Sequence, residues 1–142
     1  MAGMSNTLID KVVNATTPTG ASGVPGTWTA LSASAMKVRL NSTASTAAAA
    51  GTELTGTGYT AGGQALSTQS TASSAGSGVT LPATSALSWT NSSGGAWSIV
   101  SFDLTDNAAV RTWFGNFTGQ PISVANGNTF QIGVAGISIN AA

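Results

Sequence analysis

Hydrophobic and polar residues alternate over several short stretches of the chain, the pattern expected of β-strands with one buried face. In the clearest case, Met36, Val38 and Leu40 alternate with Lys37 and Arg39. This spacing predicts a strand whose aliphatic side chains face a core and whose charged side chains face outward. Other short apolar stretches lie at 59–67, 79–81, 86–90, 97–104 and 110–117. We therefore expect strands and turns from residue 28 onward.

One dipeptide in the second half is typical of a tight turn. Asn126-Gly127 lies between alternating stretches at 122–124 and 130–134. Both central positions of the favoured two-residue hairpin turn need a positive φ, which Asn and Gly tolerate. The pattern predicts a β-hairpin here. In contrast, residues 41–58 are mostly Ala, Thr, Ser and Gly and predict a long exposed loop.

The N-terminal segment has a helical rather than an alternating pattern. Four apolar residues recur on one face of a predicted short helix: Leu8, Ile9, Val12 and Val13. A Pro- and Gly-rich connector at 16–26 follows, so we divide the chain into an N-terminal arm, 1–26, and a β-domain, 27–142. The apolar stripe packs either on its own sheet or on a neighbouring subunit. Trp28, after the connector, is a candidate interface anchor.

The fold class follows from the number and spacing of the predicted strands. Many short strands with turns between them predict an all-β protein, an antiparallel β-sandwich that is jelly-roll-like or a partly closed barrel. Leu, Ile, Val and Phe number only 27 of 142 residues, so the core is small. Seven large residues are expected to fill it: Trp89, Trp97, Phe102, Trp113, Phe114, Phe130 and Ile132. In the alternative, some of these aromatic rings lie at the surface and stack on sugars.

The composition removes most of the usual catalytic groups. The chain has no His and no Cys, and only four basic and four acidic residues. Imidazole and thiolate chemistry and disulfide bonds are therefore excluded. No basic patch exists for nucleic acid or for an anionic membrane surface, and no apolar run is long enough to span a bilayer. A formal net charge of zero favours self-association, so we expect a homo-oligomer.

Asp103 and Asp106 are the only carboxylates close together in the sequence. With Asn107 they predict a turn at the end of a strand, because Asp and Asn side chains accept hydrogen bonds from nearby backbone amides. A calcium loop and a pair of hydrolase carboxylates are the alternatives. The chain has no phosphate-loop motif. We therefore predict a non-enzymatic protein with no catalytic residue, no metal ligand and no cofactor.

Several segments resemble a family of short proteins of tailed bacteriophages, common in phages of actinobacteria and known as tail fibre proteins. The matching segments are SNTLIDKVVNATTPTGASGVPGTW, MKVRLNST, GTELTGTGYT, VTLPATSALSW, WSIVSFDLTD, WFGNFT and ISVANGNTFQIGVAGISIN. With the Ala-rich loop between the second and third segments, they are spread over nearly the full length of the chain, from residue 5 to residue 140. The closing segment departs from the family in one place, with Gly127-Asn128-Thr129 where the family usually has Gly-Asp-Thr.

The resemblance implies a structural protein on the exterior of the virion, assembled in the host cytoplasm. Its partners would be the major capsid protein or tail proteins of the phage. A chain of 142 residues has no room for a long trimeric shaft, so we expect a capsid decoration or minor capsid protein rather than a fibre. The alternative is a tail fibre or tail-tip subunit that contacts the host surface.

Overall fold

The computed structural model describes residues 2–4, 36–66, 79–81, 85–106 and 108–139. This part of the chain is all-β and sandwich-like, with antiparallel strand pairs and no helix, in agreement with the predicted fold class. The strands are β1 (Ala2–Met4), β2 (Lys37–Asn41), β3 (Gln64–Ala65), β4 (Val79–Leu81), β5 (Leu87–Thr90), β6 (Trp97–Ile99), β7 (Ser101–Thr105), β8 (Arg111–Asn116), β9 (Ile122–Val124), β10 (Thr129–Ile132) and β11 (Ile137–Ile139).

The largest sheet has five strands in the order β1-β8-β7-β2-β3, and three two-stranded sheets pair β10 with β5, β11 with β4 and β6 with β9. The alternation predicted around β2 is present. Val38 is paired with Leu104, and both side chains are fully buried in the apolar core. Arg39 is paired with Asp103 on the opposite face. Successive residues of a strand point to opposite faces, so this register puts aliphatic groups on one side and charged groups on the other.

Strand β7 does not alternate between buried and exposed residues, because both of its faces are covered. All five of its residues are buried. One face packs in the apolar core. The other lies beneath residues 42–52, which we call the cover loop. The loop carries buried residues of its own, Ser45 and Gly51. The predicted loop at 41–58 is exposed at most of its positions, but it also shields the polar face of the sheet, which the prediction did not include.

The apolar core joins the sheets. Its buried members are Met36, Val38, Leu40, Leu54, Leu66, Leu87, Trp89, Trp97, Ile99, Phe102, Leu104, Val124, Ile132 and Ile137. Aromatic rings link its parts: Phe117 packs against Phe102 at 5.4 Å and against Phe130 at 5.5 Å between ring centroids. These contacts connect strands from different sheets into one packed interior.

The apolar run at 97–104 forms two strands rather than the single predicted one. β6 pairs with β9, whereas β7 pairs with β2 and β8. Val100 lies at the change of direction, where its N–H donates to Asn41 O (2.8 Å) and its carbonyl accepts from Phe117 N (3.0 Å). The chain changes sheets at this corner. Hydrophobic periodicity does not reveal such a corner, because both strands are apolar.

The Asn126-Gly127 turn is present, but the predicted hairpin is wrong. Asn128 N donates to Ala125 O (3.0 Å), which closes a four-residue turn. Of the two central residues only Gly127 has a positive φ, 84°, which is the pattern of a type II turn rather than of the twisted hairpin type. The flanking strands β9 and β10 pair with β6 and β5 rather than with each other.

The predicted arm at 1–26 is described only at its beginning. β1 lies at the edge of the five-stranded sheet, where Ala2 is paired with Gly115 and Met4 with Trp113. Residues 2–4 are therefore part of the sheet. The predicted helix and the connector lie outside the described residues. The run at 59–67 contains only the two-residue strand β3, since Gly62 and Gly63 adopt positive φ.

Candidate functional site

The most polar place in the structure is a cluster between the five-stranded sheet and the cover loop. Its centre is Asp103, whose side chain is completely buried in the middle of β7. Arg39 Nη2 on β2 donates to Asp103 Oδ2 at 2.7 Å. Arg111 Nη1 on β8 lies 3.7 Å from Oδ1. A buried carboxylate needs such partners, because desolvation would otherwise make its charge very costly.

Arg39 connects Asp103 to a second carboxylate. Its Nη1 lies 3.9 Å from Glu53 Oε2, and Glu53 Oε1 accepts hydrogen bonds from Tyr59 Oη (3.0 Å) and Gly62 N (2.6 Å). Burial, followed by the nearby charge of Glu53, raises the pKa of Tyr59. The phenol therefore stays protonated as a donor to Glu53, while its oxygen accepts from Leu40 N (3.2 Å).

Arg39, Glu53, Asp103 and Arg111, which we call the charged cluster, contain two positive and two negative groups and form a neutral set. The cover loop is held on it by uncharged groups. The two N–H groups of Asn41 Nδ2 are shared among three acceptors, Asp103 Oδ2 (3.0 Å), Ser45 Oγ (3.1 Å) and Ser101 Oγ (3.1 Å). Ser45 Oγ accepts from Gly51 N in the loop (2.9 Å). Small hydroxyl side chains thus form a hydrogen-bonded interior beneath the cover loop, in addition to the apolar core on the other face of the sheet.

Arg111 binds the backbone of the cover loop. Its guanidinium donates to three loop carbonyls, those of Thr46 (2.7 Å), Ala49 (2.8 Å) and Ala47 (3.0 Å). The same guanidinium lies over the ring of Phe114, 5.4 Å from the centroid, in a cation–π arrangement. A planar group with five donors can bind several carbonyls at once, which a lysine ammonium does less well.

The structure separates the two carboxylates that were predicted to share a turn. Asp106 does form the turn, since its Oδ1 accepts from Ala108 N (2.9 Å) and Val110 N (2.8 Å). Asp103 does not, because it lies within β7 and faces the charged cluster. The two groups therefore do not form a paired hydrolase or calcium site. Within the described residues no group of three or more His, Cys, Asp or Glu side chains could hold a metal ion.

Most residues expected in the core lie there. Trp89, Trp97, Phe102 and Ile132 are buried, and Trp113 and Phe130 are partly buried against them. Phe114 differs from this expectation, because it lies half-buried beneath the Arg111 guanidinium, outside the apolar cluster. The candidate partner contacts lie outside the described residues: Leu8, Ile9, Val12, Val13 and Trp28.

A second hydrogen-bonded node holds two loops together. Asn91 is completely buried, and its Nδ2 donates to Gly95 O (2.8 Å) and Val124 O (2.7 Å). Its Oδ1 accepts from Ser93 N (3.0 Å) and Ser93 Oγ (2.7 Å). Its backbone N–H donates to Asn128 O and its carbonyl accepts from Gly127 N. We call residues 91–95 with 124–128 the asparagine clamp.

Sequence reasoning missed the charged cluster, although a signal was present. Asp103 is the one acidic residue in the most apolar stretch of the chain, and Arg39 occupies the same kind of position in β2. A charged residue inside a strand that is otherwise apolar indicates a buried ion pair. The cover loop gave no such signal, because its Ser, Thr and Ala residues are equally typical of exposed loops.

Comparisons of the chain with protein-family models, curated protein sequences and solved structures find no match. The resemblance to phage proteins therefore stays a prediction. Among the described residues, no helix has the length and apolar character needed to cross a membrane.

Proposed function

We propose that this protein is a non-enzymatic structural protein of a tailed bacteriophage virion, and that it docks on the exterior of the capsid lattice as a decoration or minor capsid protein. Its partners are the major capsid protein and other copies of itself, and it needs no cofactor. We propose the phage particle as its location because segments of the chain resemble short phage virion proteins.

The observation that carries the proposal is the lack of charge on the described surface. Among the described residues, none of the exposed ones is charged, and nearly all are Ser, Thr, Ala, Gly or Asn. Arg39, Glu53, Asp103 and Arg111 are used inside the charged cluster. These four charges therefore stabilise the fold, and the other charged residues that the structure describes, Lys37 and Asp106, are only partly exposed.

Such a surface suits a subunit that packs closely against protein neighbours. With few charges on the described surface and a formal net charge of zero, little electrostatic repulsion keeps copies apart. Short side chains also lose little rotamer entropy when they are buried, whereas long charged side chains lose up to about 2 kcal/mol each. Both effects favour repeated contacts in a lattice, where each copy meets the same neighbours at high local concentration.

The alternative, a tail subunit that binds host sugars, needs aromatic faces at the surface. Trp89 and Trp97 are 1% and 4% exposed, so neither ring is open to a sugar in this structure. Their burial argues against sugar binding by these two residues and so favours the capsid proposal over the tail alternative. Trp28, outside the described residues, stays a candidate contact for either location.

The test is the copy number of the protein in purified virions, measured by quantitative mass spectrometry against the major capsid protein. We expect a simple integer ratio to the capsid subunit. A few copies per particle would overturn the capsid proposal and support the tail. Absence from washed particles would overturn both.

The role of the arm can be tested without removing β1 from the sheet. We expect Leu8→Ser and Val12→Ser to lower occupancy on particles, because both residues belong to the predicted apolar stripe. Lys11→Ser, on the opposite face of the same predicted helix, is the matched control. Full occupancy by the stripe variants would refute docking through the arm.

A further inference from the structure

The Asn126-Gly127 turn has a chemical property that its role in the fold does not explain. An asparagine followed by glycine can modify itself, because glycine has no side chain to hinder attack by its own backbone nitrogen on the preceding side chain. Both residues are exposed, so water has access to the turn. The sequence Asn-Gly occurs once in the chain.

The reaction requires a specific approach of two atoms. The deprotonated Gly127 nitrogen attacks Asn126 Cγ and forms a C–N bond. The bond from Cγ to Nδ2 then breaks, and the side-chain nitrogen leaves as ammonia after gaining a proton. Water opens the resulting five-membered imide at either carbonyl, which yields aspartate or isoaspartate. Water is the only co-reactant, and nothing is oxidised or reduced.

In the folded protein both participants are held by other bonds. Gly127 N donates to the carbonyl of the buried Asn91 at 2.7 Å. Asn126 Oδ1 accepts from Gly94 N at 2.9 Å. The attacking nitrogen keeps its proton in the first bond, and the second fixes the side-chain amide against the neighbouring loop. The first bond must open before Gly127 N can lose its proton and attack, and the second must open before the Asn126 side chain can leave the neighbouring loop.

We propose that Asn126 is a self-modification site whose deamidation is gated by the asparagine clamp. The folded chain holds the site unreactive, and the rate of modification follows the fraction of time that the clamp is open. Modification is much slower than loop motion, so the rate is set by this opening equilibrium. The proposal does not depend on the phage assignment.

The product would alter the clamp permanently. Aspartate or isoaspartate puts a negative charge on a described surface whose exposed residues have none. Isoaspartate also adds one carbon to the main chain between Asn126 and Gly127, which shifts the Gly127 amide relative to Asn91. Each modified copy therefore differs from the original in both charge and turn geometry.

The experiment compares the full-length protein with the isolated peptide ISVANGNTFQ under the same mildly alkaline conditions. Peptide mapping by mass spectrometry measures aspartate and isoaspartate at Asn126 over time. We expect modification at least tenfold slower in the folded protein than in the peptide, and equal rates once the protein is unfolded in urea. Equal rates for the folded protein and the peptide would overturn the proposal.

A variant tests the clamp itself. Ser93→Ala removes the hydroxyl that donates to Asn91 Oδ1 at 2.7 Å, at an exposed position where the fold should persist. Loss of one such hydrogen bond should speed the reaction roughly two- to tenfold. Ser98→Ala, an exposed serine on β6 outside the clamp, is the matched control and should leave the rate unchanged. An unchanged rate in Ser93→Ala, or equal acceleration in both variants, would refute gating by the clamp.

Discussion

Replacing Asp103 with alanine tests whether the charged cluster stabilises the fold. The substitution removes a carboxylate that contacts both Arg39 and Arg111. The two guanidinium groups have side chains only 19% and 12% exposed, so water compensates them poorly. Asn41 Nδ2 also loses one of its three acceptors.

The magnitude follows from the bonds lost. The hydrogen bond from Arg39 at 2.7 Å involves two charged groups and contributes about 1.5–3 kcal/mol, and the bond from Asn41 adds about 1 kcal/mol. Removing one partner of a buried ion pair typically costs about 3–5 kcal/mol, which agrees with this sum. The total stability of a domain is about 5–15 kcal/mol, so the loss is a large fraction.

Urea unfolding followed by tryptophan fluorescence measures the effect, since buried Trp89 and Trp97 report on the core. We expect the unfolding midpoint to fall by more than about 1 M, given slopes of about 1–3 kcal/mol per M. Asp106→Ala is the control, because it removes a partly exposed acid that accepts two backbone hydrogen bonds in a turn, and it should cost about 1–2 kcal/mol. A cost below about 1 kcal/mol for Asp103→Ala, or one equal to the control, would refute the reasoning.

Three further predictions concern single positions. Gly115→Ala should destabilise the fold by about 1–3 kcal/mol in the same urea assay, because the added Cβ would lie 2.5 Å from the Phe102 ring. Gly133→Ala is the control and should be tolerated, because the space around Gly133 is open. Arg111→Lys should speed hydrogen exchange of the cover-loop amides, because lysine cannot bind all three carbonyls; unchanged exchange would contradict this. Folding keeps Tyr59 protonated above its ordinary pKa of 10.0, so stability should be fully present below pH 10 and fall as pH rises beyond it. Tyr59→Phe should abolish this fall, and phenolate absorbance of the single tyrosine should show late ionisation of the folded protein.

Sequence patterns predicted where the strands lie in the chain better than which strands pair with each other. The alternation from Met36 to Leu40 identified β2 and its buried face, because one face of this strand packs in the apolar core. The Asn126-Gly127 signal identified a turn but not the pairing of the strands on either side. Pairing is decided by contacts between distant parts of the chain, such as β9 with β6, which local sequence does not encode.

The polar site was less predictable than the core. Asp103 suggested a turn because Asp is common in turns, and tertiary contacts with Arg39 and Arg111 determined otherwise. The cover loop has the composition of an exposed loop, yet Ser45 within it is buried. Short hydroxyl side chains fit equally well in water and in a hydrogen-bonded interior, so composition alone cannot separate the two.

The hydrogen-bonded interior beneath the cover loop has a consequence for how stability depends on temperature. Exposure of apolar surface on unfolding raises the heat capacity, whereas exposure of polar surface lowers it. Here part of the interior consists of Asn41, Ser45, Ser101, Asp103 and backbone amides rather than hydrocarbon. Unfolding should therefore change the heat capacity by less than the usual value of about 12–15 cal/mol/K per residue. The stability curve would be flatter, so the protein would lose little stability on cooling or on moderate warming.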